Sequence, residues 1–263
     1  KIQPTVYTSN LLLPSLFTKT KRIDAFFDGE IERIIQLNLD PIVASPNKQV
    51  NILSNDKNCS VQITNNSLYD TSLIWIEKIN HPVEPKGGTR LSSVYQLQPF
   101  ELALKDTIRI GIRYGNKIKN MKNMSLYYYN QKHGWTFLPS SMHSNRQIIS
   151  STLFSLDAIT IMQDIEPPFI RKVFPEDGGK FHYKDLKTIS IIADDYLSGL
   201  NSNEKSMEIK LDGLTVRYAF QPIKKELSYY LPTPLDAGEH TMEYKISDLA
   251  GNTVSGLSTF LVD

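Results

Sequence analysis

Thr107-Ile108-Arg109-Ile110-Gly111-Ile112-Arg113-Tyr114 sets an apolar side chain at each even position from Ile108 and leaves Arg109 and Arg113 on the other side. A period of two belongs to an extended strand with one face on a core and the other toward water. The same alternation returns in Met207, Ile209 and Leu211, in Leu214, Val216, Tyr218 and Phe220, and in Met242, Tyr244 and Ile246. Between Leu211 and Leu214 stands Asp212-Gly213, a pair that accepts positive φ and predicts a hairpin. Asp28-Gly29 predicts another, between Ile23-Asp24-Ala25-Phe26-Phe27 and Glu30-Ile31-Glu32-Arg33-Ile34-Ile35. No stretch reads as a long amphipathic helix with caps at both ends. The expected fold class is all-β, built as tandem antiparallel sandwiches.

The bulk properties set limits on function. A chain of 263 residues accommodates two sandwiches of about 100 residues each. Twenty-nine basic residues against 28 acidic ones leave a formal charge of +1, so no global field favours nucleic acid or an anionic membrane. One cysteine, Cys59, rules out an internal disulfide and a cysteine-rich metal site, and it reads as a buried thiol. No run approaches the roughly 20 apolar residues needed to span a bilayer. Lys1-Ile2-Gln3-Pro4 does not begin a signal peptide and there is no initiator Met, so the chain is expected to be a mature or excised fragment.

Asp164-Ile165-Glu166-Pro167-Pro168-Phe169 marks the clearest boundary. Adjacent prolines remove two backbone donors and favour an extended, stiff connector. A softer boundary falls at Ala44-Ser45-Pro46-Asn47. The expected organisation is an N-terminal β segment at 1–45, too short for its own sandwich, then a sandwich at 46–163 and a second at 164–263.

The C-terminal segment resembles the immunoglobulin-like domains found in tandem on exported bacterial proteins. The resemblance rests on Pro167-Pro168-Phe169-Ile170, Pro175-Glu176-Asp177-Gly178, Ile192-Ala193-Asp194-Asp195-Tyr196-Leu197-Ser198-Gly199-Leu200, Leu211-Asp212-Gly213, Ala237-Gly238-Glu239-His240 and Ser247-Asp248-Leu249-Ala250-Gly251-Asn252. In the last of these, Asp248 can accept hydrogen bonds from its turn, while Gly251 and Asn252 tolerate a left-handed backbone. The middle segment resembles the sandwich of zonula-occludens scaffolds and netrin receptors. It does so through Cys59-Ser60-Val61-Gln62-Ile63 with Ser67-Leu68-Tyr69, Val94-Tyr95-Gln96-Leu97-Gln98-Pro99, Ile108 to Tyr114, Leu126-Tyr127-Tyr128-Tyr129 with Trp135, and Phe154-Ser155-Leu156-Asp157-Ala158. Together they resemble the non-catalytic tails of exported lysostaphin-like zinc endopeptidases, an architectural likeness that does not establish function.

Zinc hydrolysis needs clustered His and carboxylate ligands, with a His-x-His pair on one strand. His81, His133, His143, His182 and His240 include no such pair. His133 and His182 read as loop or strand-end residues. Some relatives of the middle sandwich cut themselves at His-Phe-Ser, and here the place reads Leu153-Phe154-Ser155. Without the His base the hydroxyl is a poor nucleophile, so Ser155 is assigned to a strand. There is no Gly-x-Ser-x-Gly elbow. No catalytic residue and no cofactor is expected.

Tyr127 and Tyr129 share one face of a strand near Trp135, and this is the best sequence hint of a ligand surface, able to stack on sugars or anchor a protein. The competing reading is that a neighbouring segment covers these rings. Lys117, Lys119 and Lys122 read as a solvated hairpin tip. Asp164, Glu166, Asp194, Asp195 and Asp248 are candidate calcium ligands by residue type. Turn capping and solvation explain them without a metal, since no ordered Asp-x-Asp-x-Asp loop is present.

These readings predict a non-catalytic module of a larger exported bacterial protein, in the periplasm, at the cell surface or outside the cell. Its expected partners are other domains of the same polypeptide, or else a surface glycan or protein, and no nucleic acid. The same residues also fit a carbohydrate-binding or cell-surface adhesion module, or an accessory region of a cell-wall zinc endopeptidase.

Overall fold

A computed structural model describes residues 41–115 and 120–263 in full and the backbone of 21–27 and 30–37. Asp28-Gly29, Lys117 and Lys119 lie outside the described residues. The strands are β1 (Lys21–Phe27), β2 (Glu30–Leu37), β3 (Ile42–Ala44), β4 (Val50–Leu53), β5 (Cys59–Ile63), β6 (Ser72–Ile79), β7 (Gly88–Arg90), β8 (Val94–Gln98) and β9 (Ile108–Arg113). They continue as β10 (Met124–Asn130), β11 (Gly134–Leu138), β12 (Ser141–His143), β13 (Ile148–Leu153), β14 (Ile159–Asp164), β15 (Phe169–Phe174) and β16 (Lys180–Phe181). The last are β17 (Thr188–Asp194), β18 (Met207–Leu211), β19 (Leu214–Thr215), β20 (Ala219–Gln221), β21 (Glu226–Tyr230), β22 (Gly238–Ser247) and β23 (Thr253–Val262). The fold is all-β, and Ser144–Arg146 forms a single 3-10 turn.

The chain divides into two compact units, one made of Lys1–Ile79, Tyr95–Ile112 and Thr152–Ala158, the other of Asn80–Val94, Arg113–Ser151 and Ile159–Asp263. In the first, β1 and β2 pair antiparallel, β5 lies between β4 and β9, and β6 lies between β3 and β8. The alternation is realised residue by residue: Cys59, Val61 and Ile63 of β5 are buried, as are Ile108, Ile110 and Ile112 of β9, while Arg109 and Arg113 face water. Burial pushes the Cys59 thiol well above its ordinary range, with the Asp56 charge adding to it, so it is inert. Ser155 lies beyond the end of β13, in a bend where its hydroxyl donates to Asp157 at 2.6 Å. The strand assignment is therefore corrected, because a short side chain next to an aspartate finds a local partner that competes with a ladder.

The second unit contains a β11-β10-β14-β7 array and the pair β12-β13. From Phe169 onward it forms two facing sheets, ordered β15-β17-β21-β20 and β16-β23-β22-β18-β19. Taken in chain order as A to G, these are A-B-E-D and A′-G-F-C-C′, the strand order of an immunoglobulin-like sandwich. Its core lies between the sheets, where Ile189, Ile191, Ala193 and Leu227 meet Met207, Ile209, Met242, Ile246 and Phe260. Asp212 and Gly213 both take positive φ, 50° and 78°, and close the β18-β19 hairpin as their types predict.

Leu214 to Phe220 reads as one strand in sequence but is two in the structure. The β18-β19 ladder ends at Thr215, with Val216 N still donating to Ile209 O at 2.9 Å, and Ala219–Gln221 pairs with β21 in the opposite sheet. Val216, Tyr218 and Phe220 still pack against the core. Leu214, at the hairpin tip, is exposed instead; from Val216 on the apolar alternation survives because the segment crosses the sandwich edge with the same side inward, while its hydrogen bonding changes sheets.

Candidate functional site

Strand β14 ends at Asp164, where the connector Ile165-Glu166-Pro167-Pro168 begins. Two prolines cannot donate to a ladder, so the chain here is secured by other means. Asp164 N donates to Asn123 O at 3.1 Å and Ile165 N to Gly87 O at 3.2 Å. The Asp164 carboxylate accepts from Glu166 N at 3.3 Å and from Ser198 N at 3.0 Å. Each of its oxygens is thus held by a backbone donor, one of them in the loop after β17.

Two further carboxylates sit in turns of the sandwich. Asp195 accepts from Leu197 N at 3.0 Å and Gly199 N at 2.7 Å, which folds the Asp194-to-Gly199 loop around it. Asp248 accepts from Asn252 N at 2.8 Å and Asn252 Nδ2 at 2.7 Å, closing the β22-β23 turn, in which Gly251 takes φ +95°. Asn252 Nδ2 also reaches Asp164 O at 3.4 Å, and Asn123 Nδ2 donates to Asn252 Oδ1. The turn is thereby bonded to the end of β14.

One oxygen each from Asp164, Asp195 and Asp248 lies within 4.8 Å of the others. Asp164 and Asp248 are almost wholly enclosed, at 1% and 0% exposure. Burial pushes the Asp164 carboxyl up to about 6, against the Ser198 hydrogen bond, and the Asp195 and Asp248 charges push the same way. Asp248 is likewise raised by burial against its Asn252 bonds. Among the described residues none of the three forms a salt bridge, while Arg171 and Lys225 both pair with Asp194.

Tyr127 completes this neighbourhood. In the β10-β14 register it pairs with Thr160, and alternation puts it on the same face as Asn123 and Asp164. It is fully buried, and among the described residues its hydroxyl has no hydrogen-bond partner. Burial raises its pKa, and the Asp164, Asp248 and Asp195 charges raise it further. The hydroxyl therefore lies within the field of all three carboxylates.

The aromatic candidates are distributed differently from a flat binding face. Tyr127 packs edge-on against Phe137 inside the unit, at 5.6 Å between centroids. Trp135 is 8% exposed, and its Nε1 donates to Val83 O at 2.8 Å. Tyr129 is half-buried beside His81 and Trp135, with centroids 4.1 and 5.3 Å away. The residues 80–94, distant in sequence, thus cover rings that alternation alone would leave half outside. His133, His182 and Lys122 are exposed or nearly so. Of the acidic candidates, Asp164, Asp195 and Asp248 converge. Glu166 is exposed and Asp194 turns to its cationic partners instead.

No family model and no curated protein sequence matches the chain. Solved structures resemble it, among them these three. CopC from Methylosinus trichosporium OB3b is 20% identical over 36% of this chain and 93% of its own, with a TM-score of 0.31. Dimeric latent PorU from Porphyromonas gingivalis is 10% identical over 60% of this chain and 22% of its own, with a TM-score of 0.30. Immunoglobulin domains 1–4 of Sidekick-1 are 12% identical over 93% of this chain and 90% of their own, with a TM-score of 0.25. Among the described residues no helix is long and apolar enough to cross a membrane, which says nothing of β-barrels.

Proposed function

We propose that this chain is a non-catalytic structural and interaction module of a larger exported bacterial protein, and that it holds attached domains at a set spacing. The observation that supports this reading is the bonded connector. Asp164, the last residue of β14, is tied to Asn123, Ser198 and Asn252, and Ile165 and Glu166 of the connector donate to Gly87 and Asp164, so the passage into the immunoglobulin-like sandwich is held at its start. A flexible tether would need none of these bonds. The groups that carry chemistry in this unit cap turns and close loops, which is the work of a scaffold.

Spin labels at Lys132→Cys and Leu214→Cys, both exposed positions of the second unit, test the spacing role. Pulsed dipolar spectroscopy is expected to give one narrow distance distribution, which broadens when residues 164–168 are replaced by Gly and Ser. A broad distribution in the parent would defeat the reading. Release of fragments from purified cell-wall material by this chain, with or without added zinc, would defeat its non-catalytic part. Glycan-array binding lost in Tyr129→Ala would favour adhesion instead.

A further inference from the structure

We propose that Asp164, Asp195 and Asp248 form a calcium site, with the Tyr127 hydroxyl as its buried polar wall. Calcium takes six to eight oxygen ligands at about 2.3–2.6 Å and tolerates irregular geometry. Ligands on opposite sides of the ion stand about 4.6–5.2 Å apart on that basis. Three carboxylate oxygens within 4.8 Å of one another can therefore share one ion.

An acidic cluster alone would not carry this, since carboxylates gather in turns for capping. Tyr127 is the independent observation. A fully buried hydroxyl with no partner among the described residues forfeits a hydrogen bond, and such groups in native proteins call for a bound water or ion. This one shares a sheet face with Asp164 and Asn123 and feels the charge of each carboxylate. A water in the calcium shell would give that hydroxyl its partner. The ion would also relieve three acidic groups that, among the described residues, lack a salt bridge.

The backbone bonds to the carboxylates do not compete with this role. Asp164 accepts from Glu166 N, Ser198 N and the Ser198 hydroxyl, and Asp248 from Asn252 N, Asn252 Nδ2 and Gly251 N, which leaves lone-pair capacity because each carboxylate oxygen has two acceptor sites. Asp195 takes the Leu197 and Gly199 bonds together on Oδ2. The bonds orient the groups and leave acceptor capacity for a cation. The three ligands come from the end of β14, the loop after β17 and the β22-β23 turn, so one ion would cross-link three segments. This inference is independent of the spacing role, because a rigid connector needs no metal and a metal need not make it rigid.

The test uses the whole chain, freed of metal with a chelator. Calorimetric titration with calcium chloride is expected to show one site, binding magnesium far more weakly, and calcium is expected to raise the melting temperature. Asp195→Asn keeps an oxygen for the Leu197 and Gly199 donors and should fold, yet weaken calcium binding about tenfold or more. Terbium, which replaces calcium, is expected to emit through tyrosine excitation, and Tyr127→Phe should remove most of that emission. Absence of calcium heat and of any thermal shift overturns the proposal. So does unchanged affinity in Asp195→Asn, or terbium emission indifferent to Tyr127→Phe.

Discussion

Tyr244 and Gly256 stand directly opposite each other on β22 and β23, and the phenol ring lies over the glycine. A Cβ at position 256 would come 2.2 Å from the Tyr244 oxygen and 2.3 Å from Cζ. The ring's place therefore depends on a missing side chain. Gly256→Ala is expected to destabilise the chain by about 1–3 kcal/mol through overpacking. Chemical denaturation would measure this. In a Tyr244→Ala background the same change should be nearly neutral, giving a coupling energy of similar size in a double-mutant cycle.

Asp164 makes the metal-free chain sensitive to pH. Burial, with the charges of Asp195 and Asp248, raises its carboxyl from 3.8 to about 6 in the folded state. A group raised on folding contributes stability that is fully present below its unfolded pKa and lost as pH rises through its folded pKa. The contribution should therefore fade between about pH 4 and pH 7. His240, raised through Asp236 and Asp212 against its own desolvation, loses stability in the same direction near neutrality. The comparison that isolates Asp164 is Asp164→Asn. In metal-free buffer, the difference in melting temperature between parent and variant should shift in the variant's favour as pH rises from 4 to 7.

In the first unit, Tyr95 is 2% exposed and its hydroxyl donates to Asp56 at 2.8 Å. Ser54 donates to the other Asp56 oxygen at 2.7 Å and accepts from Cys59 N at 2.9 Å. This closes the β4-β5 turn and links it to β8. Tyr95→Phe is expected to cost about 1.5–3 kcal/mol, the range for a hydrogen bond to a charged group. A urea midpoint unchanged from the parent would show that the bond contributes nothing.

The strands were legible because their information is local. Ile108 to Arg113 and Met207 to Leu211 announce a period of two, and Asp212-Gly213 announces its own turn. Non-local pairings were not legible. Nothing between Leu214 and Phe220 signals that Ala219 will bond to β21, since the apolar alternation stays in phase through the change of sheet. The carboxylates were visible as residue types and as turn caps. Their convergence was not, because Asp164, Asp195 and Asp248 come from three segments whose proximity is made by the fold. Tyr127 illustrates the same limit. Alternation separates it from Tyr128 but does not say which face will be enclosed.

Trp135 distinguishes a packing role from a binding one. It is buried, bonded to Val83 and ringed by His81 and Tyr129. Trp135→Ala is expected to cost about 3–5 kcal/mol, as for other buried aromatics cut to alanine. Thermal melts would show it. A variant as stable as the parent would mean that the ring is not part of the core.

The parallel pairing of β16 with β23 determines how the immunoglobulin-like sandwich responds to force. Across this seam Gly178 N donates to Thr259 O at 2.7 Å and Leu261 N to Gly179 O at 2.9 Å, while Asp263 N donates to Phe181 O and Tyr183 N to Asp263 O, both at 3.0 Å. A pull between Pro168 and Asp263 drives the two strands in opposite directions along their length. These bonds then carry the load in shear, and they must yield together. A hairpin pulled open from its ends gives way one rung at a time. Once the load has passed β15, which pairs with β17 in the other sheet, the seam resists tension as one patch whose bonds slip together.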